Sequence, residues 1–430
     1  MNTDTTAAET TRTQPVKSLY EVGEIPPLGH VPDQMYAWCI RRERHGNPDT
    51  AMQVEVVETP KDLAPDEVLV MVMAAGVNYN GVWASLGRPI SPFDGHGAPY
   101  HIAGSDASGI VWAIGSKVKR FKVGDEVVVH CNQDDGDDEE CNGGDPMFSP
   151  SQRIWGYETP DGSFAQFCRV QSRQLMPRPR HLTWEESGCY MLTLATAYRM
   201  LFGHRPHILR PGDNVLVWGA AGGLGSMALQ LIATAGANGI AVISEDNKRD
   251  FVLSLGAKAA INRKNFDCWG RLPEVDDVQG YNDYIRRVRA FGKAIWDVTG
   301  KGNDVDFVFE HPGEQTFPVS TYVVKRGGMV VFCAGTTGYN LTMDARFVWM
   351  RQKRIQGSHF ANLKQAAQAN RLVIERRIDP CMSEVFSWDD IPEAHMKMFR
   401  NQHKPGNMAV LVQAPRTGLR TFEEALDARS

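Results

Sequence analysis

Between Met35 and about Val170 the chain is built of short apolar runs broken by glycine, proline and aspartate. Glu67–Asn80 (EVLVMVMAAGVNYN), Ala107–Gly115 (ASGIVWAIG) and Gly124–His130 (GDEVVVH) are typical, and such runs predict a twisted, mostly antiparallel, barrel-like β domain. His181 to Leu201 reads as a helical linker. From Pro211 to about Asp344 the rhythm alternates between strand and helix. Val215–Trp218, Gly239–Ser244, Val305–Phe309 and Met329–Cys333 are the expected strands, and Met227–Ile232 opens the first helix. Beyond Ala345 a helix candidate at Leu363–Arg377 and a last apolar strand at Met408–Val412 suggest a return to the first domain. The expected fold class is α/β, a mostly-β catalytic domain with an inserted doubly wound parallel sheet. The expected division is 1–190, 191–344 and 345–430, with a polar arm over residues 1 to about 30 that is poorly ordered or draped.

Composition adds exclusions. A chain of 430 residues with 42% hydrophobic and 23% charged residues can bury more than one core. The net charge of −5 without a basic run gives no reason to expect nucleic acid. No apolar stretch reaches membrane-span length, and the opening MNTDTTAAETTRTQPVK lacks a signal-peptide core, so a cytoplasmic protein is expected. The 8 cysteines (Cys39, Cys131, Cys141, Cys168, Cys189, Cys268, Cys333, Cys381) include no C-x-x-C pair and read as reduced thiols. Asp134–Glu140 (DDGDDEE) lacks EF-hand spacing and reads as a solvated loop.

The chemistry starts at Asn214–Gly225 (NVLVWGAAGGLG), where an apolar strand runs into glycines and then a helix. Gly219, Gly222, Gly223, Leu224 and Gly225 are expected to cradle a pyrophosphate at the helix N-terminus, although glycine clusters also mark ordinary tight turns. The following strand ends at Ile243-Ser244 without the carboxylate that an NAD ribose wants. Ser244, Lys248 and Arg249 suit a 2′-phosphate, which points to NADPH. Glu245 and Asp246 blur that signal, and solvated helix-start charges are the alternative. His311 and Gly335, together with Glu310 and Thr336, follow the later strands and would pass near the nicotinamide end. A cleft between the two domains is where such a cofactor would meet a substrate.

GVNYNGVW (76–83), GSDASGIV (104–111), GDEVVVH, TLATAYRML (193–201) and GAAGGLG together resemble the medium-chain dehydrogenase/reductase superfamily, which implies a GroES-like catalytic domain around a Rossmann domain. Many members hold zinc, but Asn78 stands where the resemblance implies a cysteine and Gly104-Ser105-Asp106 where it implies Gly-His-Glu. No metal is therefore expected. RIWGYETPDGSFAQF (153–167), FEHPGEQTF (309–317) and DARFVWMRQKRIQGSHFAN (344–362) resemble the crotonyl-CoA carboxylase/reductases more closely. That resemblance implies an NADPH-dependent enoyl-CoA reductase that traps CO2 on the α-carbon, working as a homotetramer built as a pair of dimers. It carries over Asn80 as a donor to CO2, His359 as holder of a water or of the second oxygen, Glu158 as orienter of that histidine, and Tyr157 as the aromatic neighbour.

Each of these residues alone reads more plainly as a turn residue, a structural histidine or a solvated carboxylate. Arg346, Arg351, Lys353 and Arg354 could meet CoA phosphates or be helix-surface charge, and Tyr322 and Arg326 are weaker candidates. A non-carboxylating enoyl-CoA reductase, a quinone or alkenal reductase, and a non-catalytic NADPH-binding protein remain as rivals.

Overall fold

The computed structural model describes residues 16–428. Its β lobe is organised on one long strand, Glu67–Val77, of which every residue after Glu67 is buried. An unbroken apolar run of this kind suits a strand covered on both faces. In its seven-stranded sheet the order is Leu175–Pro177, Glu126–Val129, Ala107–Ile114, Glu67–Val77, Asn407–Leu411, Met382–Phe386, with Phe167–Gln171 also paired to Glu67–Val77. Asn407–Leu411 runs antiparallel to Glu67–Val77, so the chain returns from the second lobe to close the first lobe's sheet. A smaller sheet orders Gln53–Glu58, Gln34–Ile40 and His101–Ile102.

The second lobe is a six-stranded parallel sheet in the order Ala257–Asn262, Asn238–Ile243, Asn214–Val217, Val305–Glu310, Val324–Phe332, Arg354–Gly357. Its strands feed two cores by simple alternation. Val215 and Val217 face the helices Met191–Phe202 and Gly223–Thr234, while Leu216 and Trp218 face the helix Val278–Thr299. The sheet is thus doubly wound, the α/β arrangement expected.

Several elements depart from expectation for local reasons. The helical linker is two helices, Trp184–Ser187 and Met191–Phe202, because Gly188 ends the first and packs against the Ala74 backbone. The long helix Val278–Thr299 was not foreseen: it buries only a narrow stripe, Tyr284, Val288, Phe291 and Ile295, on an otherwise polar surface. The strand Ala257–Asn262 was hidden by its alanines. Residues 354–357, placed in the returning segment by the sequence, form the sixth strand of the parallel sheet; as an edge strand it carries a polar, unremarkable RIQG.

Of the amino-terminal arm, residues 1–15 lie outside the described residues. The rest is draped over the β lobe, with Tyr20 buried, Gln166 Nε2 donating to the Tyr20 carbonyl at 3.1 Å and Gly23 N–H donating to Gln413 Oε1 at 2.6 Å. Among the described residues no helix is long and apolar enough to cross a membrane.

The carboxyl-terminal segment is fastened by Arg178. Its guanidinium is buried, pairs with Glu126 at 2.7 Å, donates to the Leu182 carbonyl at 2.8 Å and to the Arg420 carbonyl, and lies over the Trp184 ring. Removing it leaves a half-buried carboxylate and carbonyls without their donor. Arg178→Met is therefore expected to cost about 3 kcal/mol, read as a lower urea midpoint, with Glu126→Gln added to it recovering part of the loss.

Candidate active site

At the mouth of the parallel sheet, Gly222 caps the helix Gly223–Thr234 in an extended conformation without any side-chain cap. The helix therefore starts without a side-chain cap on its first N–H groups, and anions bind such ends. The glycines are required by contact as well as by turn. A Cβ on Gly225 would lie 2.5 Å from the Gly219 carbonyl oxygen, and one on Gly219, where φ is +53°, would lie 2.6 Å from the His311 ring. Gly223 faces Asn407 of the β lobe, Gly406 N–H donates to the Ala221 carbonyl at 2.9 Å, and Gly222 bridges Gly406. Leu224 packs against the core on the Met191–Phe202 side. The cradle therefore sits at the junction of the lobes, and its shape fits a dinucleotide's pyrophosphate.

One strand away, Lys248 Nζ lies 3.2 Å from Ser244 Oγ. Glu245, which blurred the cofactor preference in the sequence, is exposed and paired with Lys264 at 3.4 Å. Arg249 turns instead to the Ala260 carbonyl at 2.9 Å and to Asp246, which leaves Lys248 as the cation beside Ser244. His403, from the returning segment, stands near enough that burial first, and the Lys248 charge second, hold its pKa below the ordinary imidazole value. Nothing in the sequence brought His403 or Asn407 to this site, since both arrive from the other lobe. At the other end of the cradle, His311 Nε2 is 2.9 Å from the Trp218 carbonyl; burial lowers its pKa to about 4, so the ring is neutral. Gly335 packs under Tyr339, where a Cβ would come within 3.0 Å of the ring.

The β-lobe residues converge on Gly104-Ser105-Asp106. Asn78 Nδ2 donates to Asp106 Oδ2 at 2.9 Å, and Asn80 Nδ2 lies 3.5 Å from Ser105 Oγ. Gly104 and Gly156 cross so closely that a Cβ on Gly156 would stand 2.0 Å from the Gly104 carbonyl oxygen. That crossing brings the turn bearing Tyr157 and Glu158 against the segment that supports Asn80. Glu158 closes its own turn, Oε2 accepting from Ile154 N–H at 2.8 Å, and shares no hydrogen bond with His359. The Tyr157 hydroxyl, unplaced by the sequence, donates to the Ile90 carbonyl at 2.6 Å; burial pushes its pKa up to about 12.

His359 stands on a loop anchored at both ends. Ser358 N–H donates to the Phe332 carbonyl at 2.9 Å and Ser358 Oγ lies 3.0 Å from His204 Nε2. Beyond it, His130 Nε2 is 2.7 Å from the Ala361 carbonyl oxygen, and Asn362 Nδ2 donates to Asp145, which pairs with Arg199 at 2.7 Å. His359 is exposed, yet the surrounding protein first and the Arg199 charge second lower its pKa to about 4. The acidic loop Asp134–Glu140 is accordingly not only solvated, since Asp134 is buried and pairs with Arg173, and just beyond it Asp145 holds the histidine loop.

The basic cluster does not gather as one site. Lys353 is buried, its ammonium donating to the carbonyls of Thr321 at 2.7 Å and Tyr322 at 2.9 Å, so it closes the end of the helix Phe317–Val323 and is withdrawn from any phosphate. Arg346 chelates Asp344 over the Tyr281 ring, Arg351 lies over Phe347, whose ring meets Tyr322 edge-on, and Arg354 donates to the Arg205 carbonyl and to Gln356. Arg326 donates to the Met350 carbonyl.

The residues at the positions expected for zinc ligands do not suit the metal. An amide, a hydroxyl and a carboxyl that already accepts from Asn78 and from Leu192 N–H at 2.7 Å make a poor donor set. Burial lifts Asp106 from 3.8 to about 7. A carboxyl whose folded pKa is raised adds stability that is complete below its unfolded value and disappears as pH climbs through the folded one. Asp106→Asn is therefore expected to gain stability relative to the native chain as pH rises from about 4 to about 7, measured as urea midpoints across that range.

The family model for the alcohol dehydrogenase GroES-like domain matches residues 64–180, and that for zinc-binding dehydrogenase matches residues 223–375. A crotonyl-CoA carboxylase/reductase of Cereibacter sphaeroides is 76% identical over 414 residues, 96% of each chain. A solved crotonyl-CoA carboxylase/reductase superposes with a TM-score of 0.94 at 72% identity over 98% of each chain. A 2-octenoyl-CoA carboxylase reductase in complex with NADP and 2-octenoyl-CoA superposes with a TM-score of 0.84 at 37% identity, covering 93% of this chain and 92% of that one. With a GroES-like β lobe, a Rossmann lobe and this likeness along nearly the whole length, the chain belongs to the crotonyl-CoA carboxylase/reductase family.

Proposed function

We propose that the chain catalyses the NADPH-dependent reductive carboxylation of an enoyl-CoA, converting crotonyl-CoA and CO2 to ethylmalonyl-CoA. Bound NADPH supplies the hydride that adds to the β-carbon, leaving an enolate shared between the α-carbon and the thioester oxygen. The enolate either takes a proton, giving a saturated acyl-CoA, or attacks CO2. The choice depends on which groups surround the α-carbon.

The observation that carries the carboxylating reading is the poverty of proton donors among the residues named for the site. His359 is neutral at pH 7 because its pKa lies near 4, and a neutral imidazole is a weak acid. The Tyr157 hydroxyl is spent on the Ile90 carbonyl with its pKa raised to about 12. Glu158, fastened to Ile154 N–H, is an acceptor. Asn80 offers an amide N–H, which hydrogen-bonds an oxygen without surrendering its proton, and a donor aimed at CO2 gains strength as carboxylate charge develops. Ser244 and Lys248 would hold the 2′-phosphate, and the helix start after Gly222, which has no side-chain cap, the pyrophosphate.

The partner reading is a homotetramer in the cytoplasm. The outer edge of Arg354–Gly357 has no paired strand among the described residues, and Trp349 and Met350 just before it are each 63% exposed, a surface suited to a second copy. The free cysteines suit a reducing compartment.

NADPH oxidation is measured with crotonyl-CoA, with and without bicarbonate and carbonic anhydrase, and the product is read by mass spectrometry. Faster turnover with CO2 and a product one carboxyl group heavier than butyryl-CoA are expected; equal turnover giving butyryl-CoA alone would assign a plain reductase. Asn80→Leu is expected to shift product toward butyryl-CoA while NADPH oxidation continues. Lys248→Ala is expected to weaken NADPH by about ten- to a hundredfold and leave NADH unchanged, since a charged hydrogen bond contributes about 1.5–3 kcal/mol; titration of cofactor fluorescence decides it.

A further inference from the structure

The Asn80 side chain has one hydrogen-bond partner among the described residues, Ser105 Oγ at 3.5 Å. Ser105 is itself fully buried and rigidly seated. On one side Gly104, with φ at +108°, presses its carbonyl against Gly156 and accepts from Ser163 N–H at 3.0 Å. On the other side Asp106 takes Asn78 Nδ2 and Leu192 N–H, and its own carbonyl accepts from Gly76 N–H at 3.3 Å. The two amides that flank Tyr79 are thus held by two consecutive residues, Asn78 by Asp106 and Asn80 by Ser105. Asn78 occupies the cap position of the helix Tyr79–Leu86 without capping it, its amide being used on Asp106 instead.

We infer that Ser105 is a positioning residue that aims the Asn80 carboxamide and so sets the partition of the enolate between CO2 and a proton. This rests on the reading of Asn80 given above. A carboxamide is planar, with two N–H donors at one end and an acceptor oxygen at the other. Engaging one N–H with Ser105 fixes the plane, and with it the direction of the second N–H. Without the hydroxyl the amide rotates freely and spends part of its time presenting its oxygen, which repels an oxygen of CO2. Hydride addition does not involve this amide, so the effect falls on capture of CO2 and spares reduction.

The test compares Ser105→Ala, Ser105→Cys, Asn80→Leu and Asn80→Leu with Ser105→Ala, all saturated with NADPH and crotonyl-CoA. The ratio of ethylmalonyl-CoA to butyryl-CoA is followed against CO2 concentration, together with kcat for NADPH oxidation. Loss of one neutral hydrogen bond predicts that Ser105→Ala raises the CO2 concentration giving equal products about fivefold, while kcat changes less than about twofold. Ser105→Cys keeps the buried volume but offers a weaker acceptor, so it is expected to fall between the two, and it carries the test where the alanine variant folds poorly. In the Asn80→Leu background Ser105→Ala is expected to add nothing, an outcome a merely structural role would not give.

An unchanged partition in both Ser105 variants, with Asn80→Leu shifting it, overturns this inference and leaves the Asn80 reading intact. An equal Ser105 effect with and without Asn80 overturns it as well, because Ser105 would then act through something else. If Asn80→Leu itself leaves the partition unchanged, the reading of Asn80 falls, and this inference with it.

Discussion

The architecture turns on one backbone junction. Gly406 donates to Ala221, Gly222 bridges Gly406, and Asn407 faces Gly223 so closely that no side chain fits between them. A phosphate-binding loop normally needs glycine for its ligand; this loop needs glycine for its neighbouring lobe. Asn407 then continues directly into the strand that pairs with Glu67–Val77. The cradle and the strand that ends at the Asn78-Tyr79-Asn80 turn are thereby joined through a few residues of main chain. The spacing between the cradle and that turn is held by backbone hydrogen bonds.

A second crossing does comparable service within the β lobe. Gly104 on Gly156 lets three segments distant in sequence, 78–80, 104–106 and 156–158, share one small volume. The groups on these segments are polar but reluctant acids: the Asn80 amide beside the buried Ser105 hydroxyl, and the Tyr157 phenol, which already donates to the Ile90 carbonyl. Electrophile capture by an enolate asks for that combination, because hydrogen bonding to the developing carboxylate is needed while free protons are harmful.

Much of this was legible in the chain. The unbroken apolar runs Val215–Trp218 and Val68–Val77 declare their burial, and the glycines after Trp218 declare close approach. What stayed hidden is mostly long-range. His403 and Asn407 lie well over a hundred residues from the loop they adjoin, and no periodicity connects them to it. Lys353 in a basic string looked like a phosphate ligand, yet only the fold reveals that two helix-end carbonyls already occupy its ammonium. Ser105 was visible only as a missing metal ligand; its contact with Asn80 depends on how two turns face each other. The 22-residue helix at Val278 escaped because its buried stripe is a single narrow file of four residues in a polar sequence.

The His359 loop has an anchor in each lobe: Ser358 is tied to the parallel sheet at Phe332 and to His204, and Ala361 is tied to His130 of the β lobe. Between the anchors Phe360 adopts a left-handed φ of +38°, a conformation that a bulky residue holds only under constraint from both sides. The imidazole is therefore placed by the two lobes jointly. It reaches its working position at one relative setting of them, much as an AND gate requires both inputs. On the role proposed for His359, a lobe arrangement too open to bring hydride to the β-carbon would also leave the α-carbon without its histidine, so the enolate and the group meant to receive its product come into being together.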